Sequence, residues 1–385
     1  SLRRRQRQMC IRDRYKKDFT DKQERTMRKR ILIVTNHSYM FWQFRRELAE
    51  ALQKEYELVL AMPFVGHEED FQKMGIRCIP ISMNRRGVNP FAEAKLLLGY
   101  KKLLKKEAPD LVLTYSIKPN IYIGLLCRKT KIPYYANVQG LGTAFQKPVL
   151  TSLVTVLYRI AFQNVQRVFF ENEENAREFR ERKILSADRQ VVLSGAGINL
   201  ERYQMAPYPN HKRMHFLYLG RIMKEKGMDE LFYTVRRLKK ENEDFILDLV
   251  GFFEEEYKDQ VEELENSGIA HFYGFQSDPR MFYIEADCVV LPSYHEGMSN
   301  VLLEAAATGR PVITSNISGC RESVEDRKSG FLVEAKNKEM LYQAMKEMLH
   351  CSREERERMG KMGREKMERE FRKEAVVERT VRSLK

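Results

Sequence analysis

Two carboxylates stand close together in the stretch 292-PSYHEGMSNVLLEAAATGRPV-312. Glu296 precedes a glycine, and Glu304 follows eight positions later inside a run of good helix formers. Ionised carboxylates only accept hydrogen bonds, which suits them to holding the hydroxyls of a sugar. Upstream, 217-LYLGRIMKEKGMDEL-231 runs from an apolar stretch through Gly220, Arg221, Lys226 and Gly227 into a helix-forming segment. Glycine lets a ligand come close to the backbone, and two cations beside a helix N-terminus make a site for an anion. The two stretches together describe a site for an anionic, hydroxyl-rich ligand. Taken singly each has a plainer reading: a solvated basic loop, and a Glu304 that balances a helix dipole with Glu296 as a surface charge.

The second stretch predicts a strand, a loop and a helix. Ser299 suits the N-cap of a helix from Asn300, which aims the free N–H groups of Met298, Ser299 and Asn300 outward. Gly297 gives the loop its freedom, and Gly309 and Pro311 end the helix. In one continuous helix the two glutamates would lie about 80° apart; with Glu296 in the loop they can converge on one ligand. A third stretch, 316-NISGCRESVEDRKSGFLV-333, reads as a glycine-containing loop and a short helix, an ordinary connection when taken alone.

These segments need a scaffold, and the rest of the chain predicts one. Short, continuous apolar runs such as 31-ILIVT-35, 57-ELVLAM-62 and 110-DLVLTYS-116 suit strands buried on both faces of a parallel sheet. They alternate with helical segments, the pattern of a doubly wound α/β domain. A strand is also predicted at 190–198. Proline and polar residues at 206–213 mark a linker, and the alternation restarts at 215-HFLYLG-220. The fold class is α/β, with two Rossmann-like domains spanning 27–205 and 206–365. The charged 352–374 reads as helix, and 366–385 ends in a helix that packs back toward the N-terminal domain. In open sheets of this kind ligands bind beyond the carboxyl ends of the strands, where all three stretches lie.

Length and charge agree with this division. A chain of 385 residues fits two domains. Of the net charge of +14, residues 1–30 contribute thirteen Lys and Arg against four Asp and Glu, leaving +5 for the rest. That balance fits a mildly basic enzyme and not a nucleic-acid binder. Residues 1–26 lack an apolar core segment and read as a non-native or disordered basic extension, with Met27 as the natural start. The six cysteines form no CxxC pair, so free thiols in the cytoplasm are expected. No apolar run approaches the roughly 18–20 residues of a membrane span. No two aspartates stand at i, i+2, so neither a metal nor a cofactor is expected. His37 and His295 read as polar lining.

The order GR-x4-KG, EG-x6-E, PVI-x5-G-x-x-E and GFLV resembles the GT-B glycosyltransferases of family 4, over residues 30 to 385. The stretches 80-PISMNRRGVNPF-91, 114-TYSIKPNIYIGL-125 and 135-YANVQGLGTAF-145 are similar to a subgroup that extends lipid-linked saccharides in bacterial polysaccharide and glycan assembly. The resemblance implies two domains facing across a cleft and a retaining transfer from a UDP-sugar, of an N-acetylhexosamine or hexose, to a saccharide on polyprenyl diphosphate. It gives Arg221 and Lys226 the donor diphosphate, Glu296 the donor sugar and Glu304 the ribose. The backbone of Gly220, Gly297, Met298, Ser299 and Asn300 would line the donor, with Phe275 at the base. Arg221, Lys226 and Glu296 are the catalytic candidates. Where many members carry a histidine, this chain has Gln139, which cannot titrate. Acceptor candidates are the loop Asn36–Trp42, Lys118, and Gln139 to Thr143 with Gly140 and Gly142. The helix at 95–107 offers either a basic face for peripheral contact with an anionic membrane or a core-facing stripe with a solvated basic side. A UDP-sugar 2-epimerase of the same fold and a basic nucleic-acid-binding or scaffold protein are the alternatives. The first needs acid and base groups in the first half, which offers few; the second rests mostly on the charge of residues 1–26.

Overall fold

A computed structural model describes residues 28–84, 89–142, 145 and 148–385. The extension 1–26, Met27, Thr143 and part of the 80–91 motif lie outside the described residues. The chain forms two parallel sheets. The first contains β1 (Arg30–Val34), β2 (Glu57–Met62), β3 (Arg77–Pro80), β4 (Leu111–Tyr115), β5 (Tyr134–Val138), β6 (Val165–Phe170) and β7 (Gln190–Val192), in the order β3-β2-β1-β4-β5-β6-β7. The second contains β8 (Met214–Ile222), β9 (Phe245–Phe253), β10 (Ala270–Phe272), β11 (Cys288–Leu291), β12 (Val312–Ser315) and β13 (Gly330–Val333), in the order β10-β9-β8-β11-β12-β13. These are the doubly wound sheets expected from the strand-helix alternation, in the GT-B arrangement that the resemblance implies.

The apolar runs became central strands because helices cover both faces. Every residue of β4 is buried, and the first sheet has a separate apolar core on each side. Helix Ser38–Gln53 shows how a face is chosen: Phe41, Leu48, Ala49 and Leu52 bury one stripe, and Arg45 is buried in the same stripe. The second sheet shares one larger core with its helices. Arg310, fully buried, donates to the carbonyls of Tyr283 (3.0 Å), Ile284 (2.8 Å), Ala206 (3.2 Å) and Pro207 (2.8 Å), tying the inter-domain segment to the second domain.

Several boundaries differ from the sequence expectation. The strand predicted over 190–198 stops at Val192, because the chain then turns away to cross between domains. Strand β8 continues past Gly220 to Ile222, taking Arg221 into the strand. The short helix of the third stretch is a single 3-10 turn, Arg321–Ser323. The charged C-terminal segment divides into Arg353–Glu370 and Lys373–Ser383, so the last helix starts at Lys373 and not near 366. That helix packs on Ser38–Gln53, with Val376 and Leu384 in the first domain's core. The outgoing and returning crossings are joined by backbone bonds, Ile198 N–H to Phe371 O (2.7 Å) and Lys373 N–H to Ile198 O (3.0 Å).

Candidate active site

Each sheet reverses its strand order once, between β1 and β4 and between β8 and β11. A crevice opens beyond the carboxyl ends at such a point. The second sheet's reversal gathers the donor candidates. Arg221 stands at the carboxyl end of β8 and Lys226 beyond it in the turn Lys224–Lys226; beyond β11 lie Ser293 and Glu296. Gly227 closes the turn at φ 75°, and a β-carbon there would lie 2.2 Å from the Pro292 carbonyl oxygen, so only glycine lets the two loops meet.

The charged groups are paired. The Lys226 ammonium bonds the Glu296 carboxylate, which also accepts from the Ser293 hydroxyl at 2.9 Å. Both side chains keep 14% exposure, and a lysine carries three donors, so the pair can face a further partner. Arg221 bonds Glu254 at 2.5 Å and is 42% exposed. The two cations thus stand beside a helix start with carboxylates fixing their positions. Among the described residues no three His, Cys, Asp or Glu side chains form a metal-binding group.

Glu304 is the fifth residue of helix Asn300–Ala307 and is 5% exposed. It accepts from the Tyr283 hydroxyl at 2.8 Å. Burial pushes its carboxyl up to about 7, against the opposing effects of the Tyr283 and Tyr203 hydroxyls, Arg202 and Lys373. Ser299 occupies the N-cap position, yet its hydroxyl makes no cap bond. Its N–H donates instead to Gly319 O at 2.8 Å, and Glu322 holds that loop through Gly319 N–H (2.7 Å) and the Ser318 hydroxyl (3.0 Å). The third stretch is therefore the prop of the second. Phe275 stands 57% exposed after Gly274, and Asn300 opens the helix.

The first sheet's reversal gathers the acceptor candidates. Asn36, Lys118, Gln139 and Gly140 line one 210 Å³ cavity with Ser116 and Tyr158. Its floor is a satisfied polar network in which Thr114 donates to Asn120 (2.6 Å) and Asn120 to the Asn137 carbonyl (2.8 Å). Lys118 is held by Glu93 at 2.6 Å and the Asn84 carbonyl at 2.7 Å. Gly142, at φ 65°, packs near Ile117 outside the cavity lining.

The two halves touch at Gly297. A β-carbon there would lie 1.6 Å from Gln139 O, so the loop after β11 presses backbone to backbone on the first domain. Asn172 donates to Gly297 O at 2.5 Å. Beside it Glu171, buried and paired with Arg45 at 2.6 Å, accepts from the Gln139 amide. Burial raises the Glu171 carboxyl, and Arg45 opposes that rise. Asn172, Glu171, Arg45, Tyr203, Tyr283 and Glu254 escaped the sequence reading. Each lies in a different segment from the group it serves, and none carries a local spacing signal.

The family model "Glycosyl transferases group 1" matches residues 203–366, and "Glycosyl transferase 4-like" matches 30–172. The chain is 28% identical over 327 residues to the N,N'-diacetylbacillosaminyl-diphospho-undecaprenol alpha-1,3-N-acetylgalactosaminyltransferase of Campylobacter jejuni, covering 80% of this chain and 86% of that one. It is 25% identical over 304 residues to the UDP-Gal:alpha-D-GlcNAc-diphosphoundecaprenol alpha-1,3-galactosyltransferase of Escherichia coli, covering 73% and 77%. Among solved structures it is similar in fold to Anabaena HepE in complex with UDP and glucose, with TM-score 0.76, 15% identity and coverage of 92% and 99%. Sucrose-phosphate synthase from Thermosynechococcus elongatus gives TM-score 0.75 at 19% identity, covering 92% and 98%.

Proposed function

The chain is a glycosyltransferase of the GT-B fold, and we propose that it moves an N-acetylhexosamine or hexose from a UDP-sugar, with retention, to a saccharide on polyprenyl diphosphate. The transfer takes place at the cytoplasmic face of the membrane, with the enzyme bound there peripherally; no described helix is long and apolar enough to cross. The observation that carries this reading is the meeting of the two switch points. Arg221 and Lys226 at the end of β8 and Glu296 beyond β11 face, across Gly297, a cavity at the end of β1 and β4. The relatives' lipid-linked acceptors and UDP donor support the substrate classes.

In the reaction the bond from the sugar's anomeric carbon to the β-phosphate oxygen breaks, and a bond to the acceptor hydroxyl forms on the same face. The acceptor's proton passes to the leaving phosphate oxygen. Arg221 and Lys226 stabilise the charge that grows on the diphosphate, aided by the N–H groups at the start of helix Asn300–Ala307. Glu296 orients the sugar hydroxyls and Glu304 the ribose. Gln139, fixed by Glu171, offers a polar lining without a titrating group. The positive charge needed comes from these side chains, so neither a metal nor a cofactor takes part, and transfer continues in excess chelator.

The test is release of UDP from a panel of UDP-sugars, with and without a polyprenyl-diphosphate saccharide. Acceptor-dependent UDP release is expected, and Lys226→Ala should lower its rate by about a hundredfold or more. Turnover of GDP-sugars alone would overturn the donor assignment, and full activity in Lys226→Ala the site. The glycosyltransferase matches over both halves leave the epimerase and the nucleic-acid-binding alternatives without support.

A further inference from the structure

The segment after β1 splits in two. Asn36 lines the first-domain cavity, but Tyr39 turns to the other domain. Its ring lies edge-on to Phe275 at 5.9 Å, and its hydroxyl points to Ser277 O at 3.5 Å. It also faces the charges of Arg202, Glu304 and Asp278. Phe275 is itself flanked by Phe252 at 6.3 Å, and both phenylalanines are well exposed. Tyr39 thus crosses the cleft to the ground between Glu304 and Phe275. Exposed aromatic rings gathered beside a buried carboxylate match a nucleoside, which has one flat apolar face and two vicinal hydroxyls.

We propose that Tyr39 of the first domain caps the nucleoside of the donor, closing over base and ribose while Phe275 and Glu304 hold them from the second domain. This rests on the donor being a nucleotide sugar bound at Glu304. It makes Tyr39 a donor-side positioning residue and removes it from the acceptor set. It also links nucleotide binding to the apposition of the domains, since one ligand touches both.

The structure supplies a reporter. Trp42, the chain's single tryptophan, stacks on His67 at 5.1 Å and 10°, and His67 packs on Tyr39 at 5.5 Å. His67 is anchored by Asp70 at 2.8 Å. A ligand that shifts Tyr39 reaches Trp42 through one ring.

UDP is titrated into the full chain by calorimetry and by Trp42 fluorescence, in wild type, Tyr39→Phe, Tyr39→Leu and Tyr39→Ala. The wild type and Tyr39→Phe should bind alike, with a change in Trp42 emission. Tyr39→Ala and Tyr39→Leu should bind about five- to tenfold more weakly, the loss of one ring-on-base contact, and lose the emission change. In transfer assays the donor KM should rise by the same factor while kcat moves little. Equal UDP affinity in all four folded proteins, or an unaltered emission change in Tyr39→Leu, overturns the cap. Absence of UDP binding by the wild type overturns instead the donor reading beneath it. ADP and GDP serve as further probes: a purine nucleotide whose affinity falls in Tyr39→Ala upholds the cap and rejects only uracil.

Discussion

Glu304 shows how one residue's surroundings set its chemistry. The plainer sequence reading has Glu304 balance the dipole near a helix start. The helix instead buries it on the second turn beneath Tyr283, and burial lifts its carboxyl to about 7. Near neutral pH the free enzyme is therefore a mixture of acid and carboxylate at this position. Ribose hydroxyls donate to the charged form and favour it, so nucleotide binding lowers this pKa and drives the proton off. Calorimetric titration with UDP at pH 7 in buffers of different ionisation enthalpy should show net proton release of a fraction of one proton. The release should fade by pH 9, where the group is already ionised. Glu304→Gln should lower the release to the part that comes from the UDP phosphate itself and weaken UDP binding. A buffer-independent enthalpy in the wild type would show that Glu304 does not meet the ribose.

The loop from Pro292 to Ser299 is an element whose shape is decided by its neighbours. Glu322 pins the Gly319 loop, Gly319 O receives Ser299 N–H, and Gly227 admits Pro292 from the other side. Gly297 then carries the loop to the first domain. Its φ is not positive, so alanine fits the local backbone, but a β-carbon meets Gln139 O at 1.6 Å. Gly297→Ala should lower the thermal midpoint, because its β-carbon overpacks the contact with Gln139 O, while the cores of both domains are left untouched. UDP affinity of the second domain should fall only modestly. Transfer should be lost by two orders of magnitude or more, because a misplacement of about 1 Å already costs about a hundredfold. Wild-type turnover in a folded Gly297→Ala protein would show that this contact is not part of the working enzyme. The glycine itself was legible in the sequence as loop freedom. Its actual reason, a backbone in another domain, was not.

At the scale of the whole molecule the same contrast holds. The parallel strands, the two α/β domains and the charged loops at the strand ends were legible because strand hydrophobicity and strand-to-helix turns are local. The domain junction was not, because its partners are drawn from segments far apart in sequence. Lys373 is its clearest case. It begins the last helix, is buried, donates to Phe44 O at 3.1 Å, and lies among Glu47, Arg45, Glu171 and Glu304. Nothing in a charged helical run marks one lysine as the buried one; the break at Phe371 and Arg372 decides it by turning the chain back to the first domain. Burial lowers the ammonium to about 8 from its ordinary 10.5, with Glu47 opposing the fall and Arg45 adding to it. Between those two values the unfolded chain holds this proton and the folded chain does not, so this group's contribution to stability rises with pH through the window. Lys373→Met removes the contribution. Among the carboxylates around it Glu304, raised to about 7, reaches the foot of this window, so the upper part, from pH 9, belongs to the lysine. The midpoint difference, wild type minus Lys373→Met, should therefore grow by about 2 °C or more from pH 7.5 to pH 10, measured by calorimetry at fixed ionic strength. A difference that stays constant across that range would mean the junction holds Lys373 as an ordinary solvated ammonium.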